Sequence, residues 1–181
     1  MEKNTSTGQY TAGWHELTIS KATDGKWGDK RTIDLNFEGY PDNMKHRVFE
    51  ASNKTTGEEF KIANLFRFAC AGIISVLQDP TGKNPVIQYD DEVTNLVGTR
   101  VNVLFVKEAS KTDGKEYSRT FDLVPVAQET EHITWTDDDV ARLKKGIEKQ
   151  YTKKTATTTN GVGTVNLDTT TTVTGDAEIP F

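Results

Sequence analysis

Short runs of alternating apolar and polar residues constrain this chain more than anything else in it. From Trp14 to Lys21, His15, Leu17 and Ile19 fall on one side, and Trp14, Glu16, Thr18 and Ser20 on the other. Successive side chains of a strand point to opposite faces, so the run reads as a half-buried strand. Arg31 to Phe37 repeats the pattern with Ile33, Leu35 and Phe37. Between them, Thr23-Asp24-Gly25-Lys26-Trp27-Gly28-Asp29 reads as a turn, which makes the pair a hairpin. After a second turn signal at Gly39-Tyr40-Pro41-Asp42-Asn43, His46 to Ala51 is a short third strand around Val48 and Phe49.

The period then changes. Thr55 to Glu59 reads as a turn leading into a helix. From Phe60 to Leu77, the residues Ile62, Leu65, Phe66, Cys70, Ile73, Ile74 and Leu77 recur at three- and four-residue spacing, which predicts an amphipathic helix slightly weakened by Gly72. Residues 78–98 show no clear period and read as a long connection. Thr99 to Lys107 is a fourth strand, with Val101, Val103 and Phe105 on one face. Glu108 to Gly114 is a polar turn, and Lys115 to Val126 is a fifth strand. Thr136 is placed to cap a helix from Asp137 to Tyr151, with acids at its start and Lys144, Lys145 and Lys149 toward its end. Five strands with a helix between the third and fourth is the order of a mainly β OB-fold barrel, here followed by a C-terminal helix. An all-β or α+β sandwich would read similarly. OB barrels bind oligonucleotides on the face of strands 2 and 3 and with the loops joining strands 1–2 and 4–5.

The domain plan follows from composition. Residues 1–12 are polar and expected to be flexible, and 13–151 form the folded domain. Residues 152–174 are mostly Thr, Gly, Asn and Val without an aromatic residue; they cannot bury enough apolar surface to offset ordering, and read as a flexible linker. Such a linker reaches a few tens of Å. Residues 175–181 are a separate acidic tip. Acids outnumber bases, 27 to 22, so any nucleic-acid site needs its cations focused on one groove. The single cysteine, Cys70, excludes an intrachain disulfide. No long apolar run and no apolar leader segment are present, which leads us to expect a cytoplasmic protein.

Binding single strands without sequence preference needs cations along the backbone path and flat rings for the bases. The first hairpin offers Lys21, Lys26, Trp27, Lys30 and Arg31. The second offers Lys107, Lys111, Lys115, Tyr117 and Arg119. Tyr117 and Arg119 share a strand face, together with Phe121 and Leu123. Lys45 and Arg47 flank the third strand and extend the cationic path, and Tyr40 is a further stacking candidate. Phe37, Phe49, Phe66 and Phe105 are assigned to the core, and Trp135 to stapling the last helix onto the body. Trp14 is open to either role.

The final residues, Asp176-Ala177-Glu178-Ile179-Pro180-Phe181, place two acids before an apolar Ile-Pro-Phe and the terminal carboxylate. An apolar ring beside acids suits capture by a basic-rimmed pocket, and Pro180 lowers the entropy lost on docking. This tip resembles that of bacterial-type single-stranded-DNA-binding proteins, and the whole plan is similar to phage-encoded OB-fold members of that group. The resemblance implies that the body coats single-stranded DNA in replication, recombination and repair. It also implies that Asp176, Glu178, Ile179, Pro180 and Phe181 recruit partner enzymes such as a polymerase, helicase, primase or nuclease in a bacterial host's cytoplasm. A competing reading is an adaptor that docks on replication enzymes through the tip without binding DNA.

No catalytic arrangement is expected. His15, His46 and His132 are scattered without metal-ligand spacing and read as surface or rim residues. Cys70 lies on an apolar stripe, Thr81-Gly82-Lys83 lacks the rest of a phosphate loop, and Asp137-Asp138-Asp139 suits a helix N-terminus. The expectation is a binding protein with no cofactor or metal.

Overall fold

The computed structural model describes residues 10–78 and 85–159. The expected tip, most of the linker, Thr81-Gly82-Lys83 and residues 1–9 lie outside the described residues.

Strands β1 (Gly13–Trp27), β2 (Lys30–Phe37) and β3 (Lys45–Phe49) precede helix α1 (Lys61–Ala69). A hairpin of β4 (Ile73–Leu77) and β5 (Val86–Tyr89) follows, then a 3-10 turn at Val93–Leu96. Strands β6 (Arg100–Ala109) and β7 (Glu116–Pro125), a small ladder of β8 (Gln128–Glu129) with β9 (Thr134–Trp135), and helix α2 (Asp137–Thr159) complete the order. The main sheet is antiparallel, in the order β3-β2-β1-β6-β7. The alternation sets which face is inside: Leu17, Ile19, Ile33, Leu35, Val48, Val101, Val103 and Leu123 are buried together with Ile62, Leu65 and Phe66 of α1.

The first turn is tighter than expected. β1 runs to Trp27, and only Gly28 and Asp29 lie between Trp27 and its partner Lys30. Gly28 takes φ 61°, a left-handed conformation suited to a two-residue hairpin turn.

The helix expected from Phe60 to Leu77 stops at Ala69. Glu59 caps its start, accepting from Ile62 N at 2.7 Å and Ala63 N at 3.0 Å. Cys70 ends it with φ 50°, and Gly72 follows at φ 61°. Ile73, Ile74 and Leu77 fit the helical period, yet with Val76 three of the segment's five residues are β-branched, and Ile73 to Leu77 pair with β5 inside the expected connection. Cys70 is therefore a half-buried residue at a helix end, not part of a helical stripe. Ile74, Leu77 and Val86 of this hairpin are exposed.

The sheet does not close into a hydrogen-bonded barrel: no ladder joins its edge strands β3 and β7. Side chains bridge them instead. His46 Nδ1 lies 3.0 Å from Thr120 Oγ1, and that hydroxyl also donates to Lys45 O at 3.4 Å. His46, expected at the surface, is buried. Burial holds its imidazole down at about 4; Lys61 also lowers it, while Asp122 and Asp34 oppose the shift. Because the unfolded chain binds this proton near pH 6.5 and the folded chain does not, stability is full above pH 6.5 and falls as pH drops toward 4. Urea unfolding should register a loss on the order of 3 kcal/mol across that window. His46→Gln should remove that slope, and an unchanged slope would contradict the assignment.

α2 begins with a reciprocal cap. Thr136 Oγ1 accepts from Asp139 N at 3.2 Å, while Asp139 Oδ2 accepts from Thr136 N at 3.3 Å. Val140, Leu143 and Ile147 pack with Val124, Trp14 and Trp135 in a second core. Trp135 holds α2 to the body as expected, donating from Nε1 to Arg67 O at 3.3 Å. Trp14 joins this core and donates to Glu148 Oε1 at 2.8 Å. The helix continues past Tyr151, so Thr152 to Thr159 are helical where a linker was expected. Tyr10, expected in a loose N-terminus, is tied to Ser118 through both its N–H and its carbonyl.

Candidate nucleic-acid interface

Residues directly opposite each other in neighbouring strands share a face. Trp27 pairs with Lys30; Gly25 with Thr32 and Phe49; Thr23 with Asp34 and Arg47; Lys21 with Asn36 and Lys45. Ile33, Leu35, His46 and Val48 occupy the alternate positions and point into the core. The outward face of β1, β2 and β3 therefore gathers Lys21, Trp27, Lys30, Lys45, Arg47 and Phe49.

Two rings stand out on it: Trp27 is 66% exposed and Phe49 42%. Gly25, in Phe49's row, adds no side chain to the floor, and a Cβ there would meet Thr32 Oγ1 at 3.1 Å. Phe49 corrects the core assignment. The signal was present in sequence: once Val48 faces inward, Phe49 must share the outer face with Arg47 and Lys45.

The cations differ in what already holds them. Among the described residues, Lys21, Lys26, Lys30, Lys107, Lys111 and Lys115 make no ion pair with a described carboxylate. Arg31 is engaged: it sits on the inward-pointing side of β2, bonded to Asp24 at 2.8 Å and to Asp91. Asp34 lies between Lys45 at 2.6 Å and Arg47 at 2.5 Å, and the Arg47 hydrogen bond, helped by Lys45, holds its carboxyl down at about 2. Arg119 is paired with Glu108.

Asp34 is thus the acid that most reduces the charge of this face. Asp34→Asn keeps the side chain's shape and adds one net positive charge to the Lys45–Arg47 group. Affinity for oligo-dT at low salt should rise several-fold, and the slope of log affinity against log salt should steepen by about 0.7. Weaker binding by this variant, with the fold intact, would mean that phosphates do not contact Lys45 and Arg47.

The second set lies elsewhere. Arg119 is opposite Val106 and Tyr117 opposite Glu108, and Val106 lines a cleft with Tyr151 of α2. Phe121 meets the Tyr151 ring at 5.1 Å. Tyr117, Arg119 and Phe121 therefore run along the side that α2 covers. A register shift in β7 turns Leu123 to the opposite face, into the core, so the expected sharing of one face ends before it. Tyr117 is 46% exposed, with its hydroxyl donating to Asp113 Oδ2 at 2.5 Å. Tyr40 is corrected as a stacking candidate: its ring stacks on Phe105 at 5.6 Å and meets Tyr10 at 4.9 Å, so both neighbours already occupy it.

Among the described residues no group of three or more His, Cys, Asp or Glu could hold a metal ion, and no helix is long and apolar enough to cross a membrane. No protein-family model and no curated protein matches the sequence.

Proposed function

We propose that this chain is a single-stranded-DNA-binding protein of OB-fold type. It coats unpaired strands without sequence preference during replication, recombination or repair, and recruits partner enzymes through its acidic Ile-Pro-Phe tip. One observation carries the reading: Trp27 and Phe49 stand exposed on the same sheet face as Lys21, Lys30, Lys45 and Arg47. Rings for bases and cations for phosphates are what such binding requires. The strand order β3-β2-β1-β6-β7, with α1 between β3 and β6, supports the OB assignment. So does the approach of β3 to β7 at His46 and Thr120, the place where an OB barrel closes. Recruitment is inferred from the tip's residues alone.

The adaptor reading draws on the acid excess and on the carboxylates already bound to Arg31, Arg47 and Arg119. A mobility shift with labelled oligo-dT, run at low and high salt, separates the two. A retarded band that weakens with salt supports coating. A band that never shifts at low salt supports the adaptor. Shortened oligonucleotide after incubation with magnesium would overturn both in favour of a nuclease.

A further inference from the structure

The β4–β5 ribbon is a two-stranded sheet of its own: among the described residues neither strand has a second ladder partner. Each strand therefore presents an edge of backbone N–H and C=O groups, and a ribbon of only two strands is marginally stable in water. Sheet edges are ordinarily guarded by charged side chains, prolines or bulges. The run from Ile73 to Gln78 has no charge and no proline. Its one guard is the bulge at Ile74, the extra residue between Ile73 and Ser75, at the end where the chain leaves α1. The ribbon is also apolar where it is wet. Ile74, Leu77 and Val86 are exposed, and Leu77 lies directly opposite Val86.

The chemistry of this edge selects what fits it. The described residues of the hairpin carry no cation, so neither a phosphate nor an acidic peptide finds a counter-charge there. Its one ring, Tyr89, already meets Phe66 at 5.3 Å. A second copy of β4 does fit. Reversed, Ile-Ile-Ser-Val-Leu reads Leu-Val-Ser-Ile-Ile. Two antiparallel β4 strands thus set Ser75 against Ser75 and each Leu77 beside the other copy's Ile73 and Ile74. Hydroxyl and apolar cross-strand pairs of this kind stabilise a ladder.

Charge also selects the direction. Asp90 N–H donates to Gly72 O at 2.8 Å, so Asp90, Asp91 and Glu92 follow at the Ile73 end of the ribbon. Parallel edges would bring the two sets of acids together. Antiparallel edges send them to opposite ends.

We propose that the β4 edge is a self-association surface that joins two copies of this chain about a two-fold axis into a four-stranded antiparallel sheet. The contact uses none of the residues named on the β1–β2–β3 face, so it stands or falls apart from DNA binding. Sedimentation equilibrium of the whole chain without DNA, over a dilution series, tests it. The mass should rise with concentration toward twice that of one chain. Leu77→Lys, which brings a charge into the apolar contact from both copies, should weaken the dimer about ten-fold or more, with the circular dichroism spectrum unchanged. Val97→Lys, at an exposed apolar residue outside the ribbon, should leave the dimer intact. Hydrogen exchange on the unaltered chain gives a readout free of substitutions: β4 amides should exchange more slowly as concentration rises. A single-chain mass at every concentration would overturn the proposal, as would a Leu77→Lys dimer as tight as the parent. Slowed exchange confined to β3 or β7 would overturn it as well, and so would loss of the dimer on Phe181→Ala, which would assign the contact to the tip.

Discussion

Replacing Trp27 and Phe49 together by Ala should weaken oligo-dT binding about thirty-fold or more without unfolding the protein. Stacking one base on an aromatic ring is worth about 1–3 kcal/mol, so two rings together contribute roughly 2–6 kcal/mol. Both side chains stand on the exposed face, Trp27 at 66% and Phe49 at 42% exposure, so their removal opens no enclosed cavity and should change stability by about 1 kcal/mol each at most. The two single variants should each show part of the loss, with coupling if one base bridges both rings. Tyr117→Ala should cost less, since that ring belongs to the α2 side of the sheet and its hydroxyl is held by Asp113. Fluorescence titration gives the affinities, and circular dichroism checks the fold. A double variant that binds like the parent would remove base stacking on this face from the account.

Gly72→Ala should be the most damaging small substitution in the body. Gly72 sits at φ 61°, where any other residue is strained. Space is lacking as well: an added Cβ would overlap the Asp90 carbonyl and lie 3.0 Å from Asn95 Nδ2. Asp90 cannot easily retreat, because its N–H donates to Gly72 O at 2.8 Å and it precedes Asp91, which holds Arg31. Strain and overpacking together predict a loss of roughly 2–5 kcal/mol. Gly28→Ala is the control. It has a nearly identical φ, yet nothing lies within 4 Å of the added Cβ, so about 1 kcal/mol of strain is all it should cost. Chemical denaturation measures both. Equal losses would show that crowding at Gly72 contributes nothing.

Where one face of a strand is buried and the other wet, the chain's residues state its structure directly. β1, β2, β3, β6 and β7 were legible for that reason. So were the cap at Thr136 and the anchoring role of Trp135. The β4 segment was not, because Ile73, Ile74 and Leu77 satisfy a helical period as well as a strand. The decision there belongs to Cys70 and Gly72, whose left-handed backbone ends α1. The end of α2 was missed because a Thr-rich run gives no apolar stripe to follow. For the candidate site, the position of Trp27 was legible from its turn. The pairing of Arg31, Lys45, Arg47 and Arg119 with acids was not, since Asp24, Asp34, Asp91 and Glu108 meet them only through tertiary contacts and strand register. Phe49 needed the inward direction of its neighbour Val48 before its exposure could be read.

The central claim is that unpaired nucleotides lie on the outward face of β1, β2 and β3. Nuclear magnetic resonance of the three tryptophan indole N–H groups tests it most directly, because two of them are already committed: Trp14 to Glu148 and Trp135 to the carbonyl of Arg67. On adding oligo-dT at low salt, the Trp27 indole and the backbone amides of Lys30 and Lys45 to Phe49 should shift, while the Trp135 indole stays in place. Spectra that do not change, or changes that leave Trp27 and β3 untouched, would contradict it.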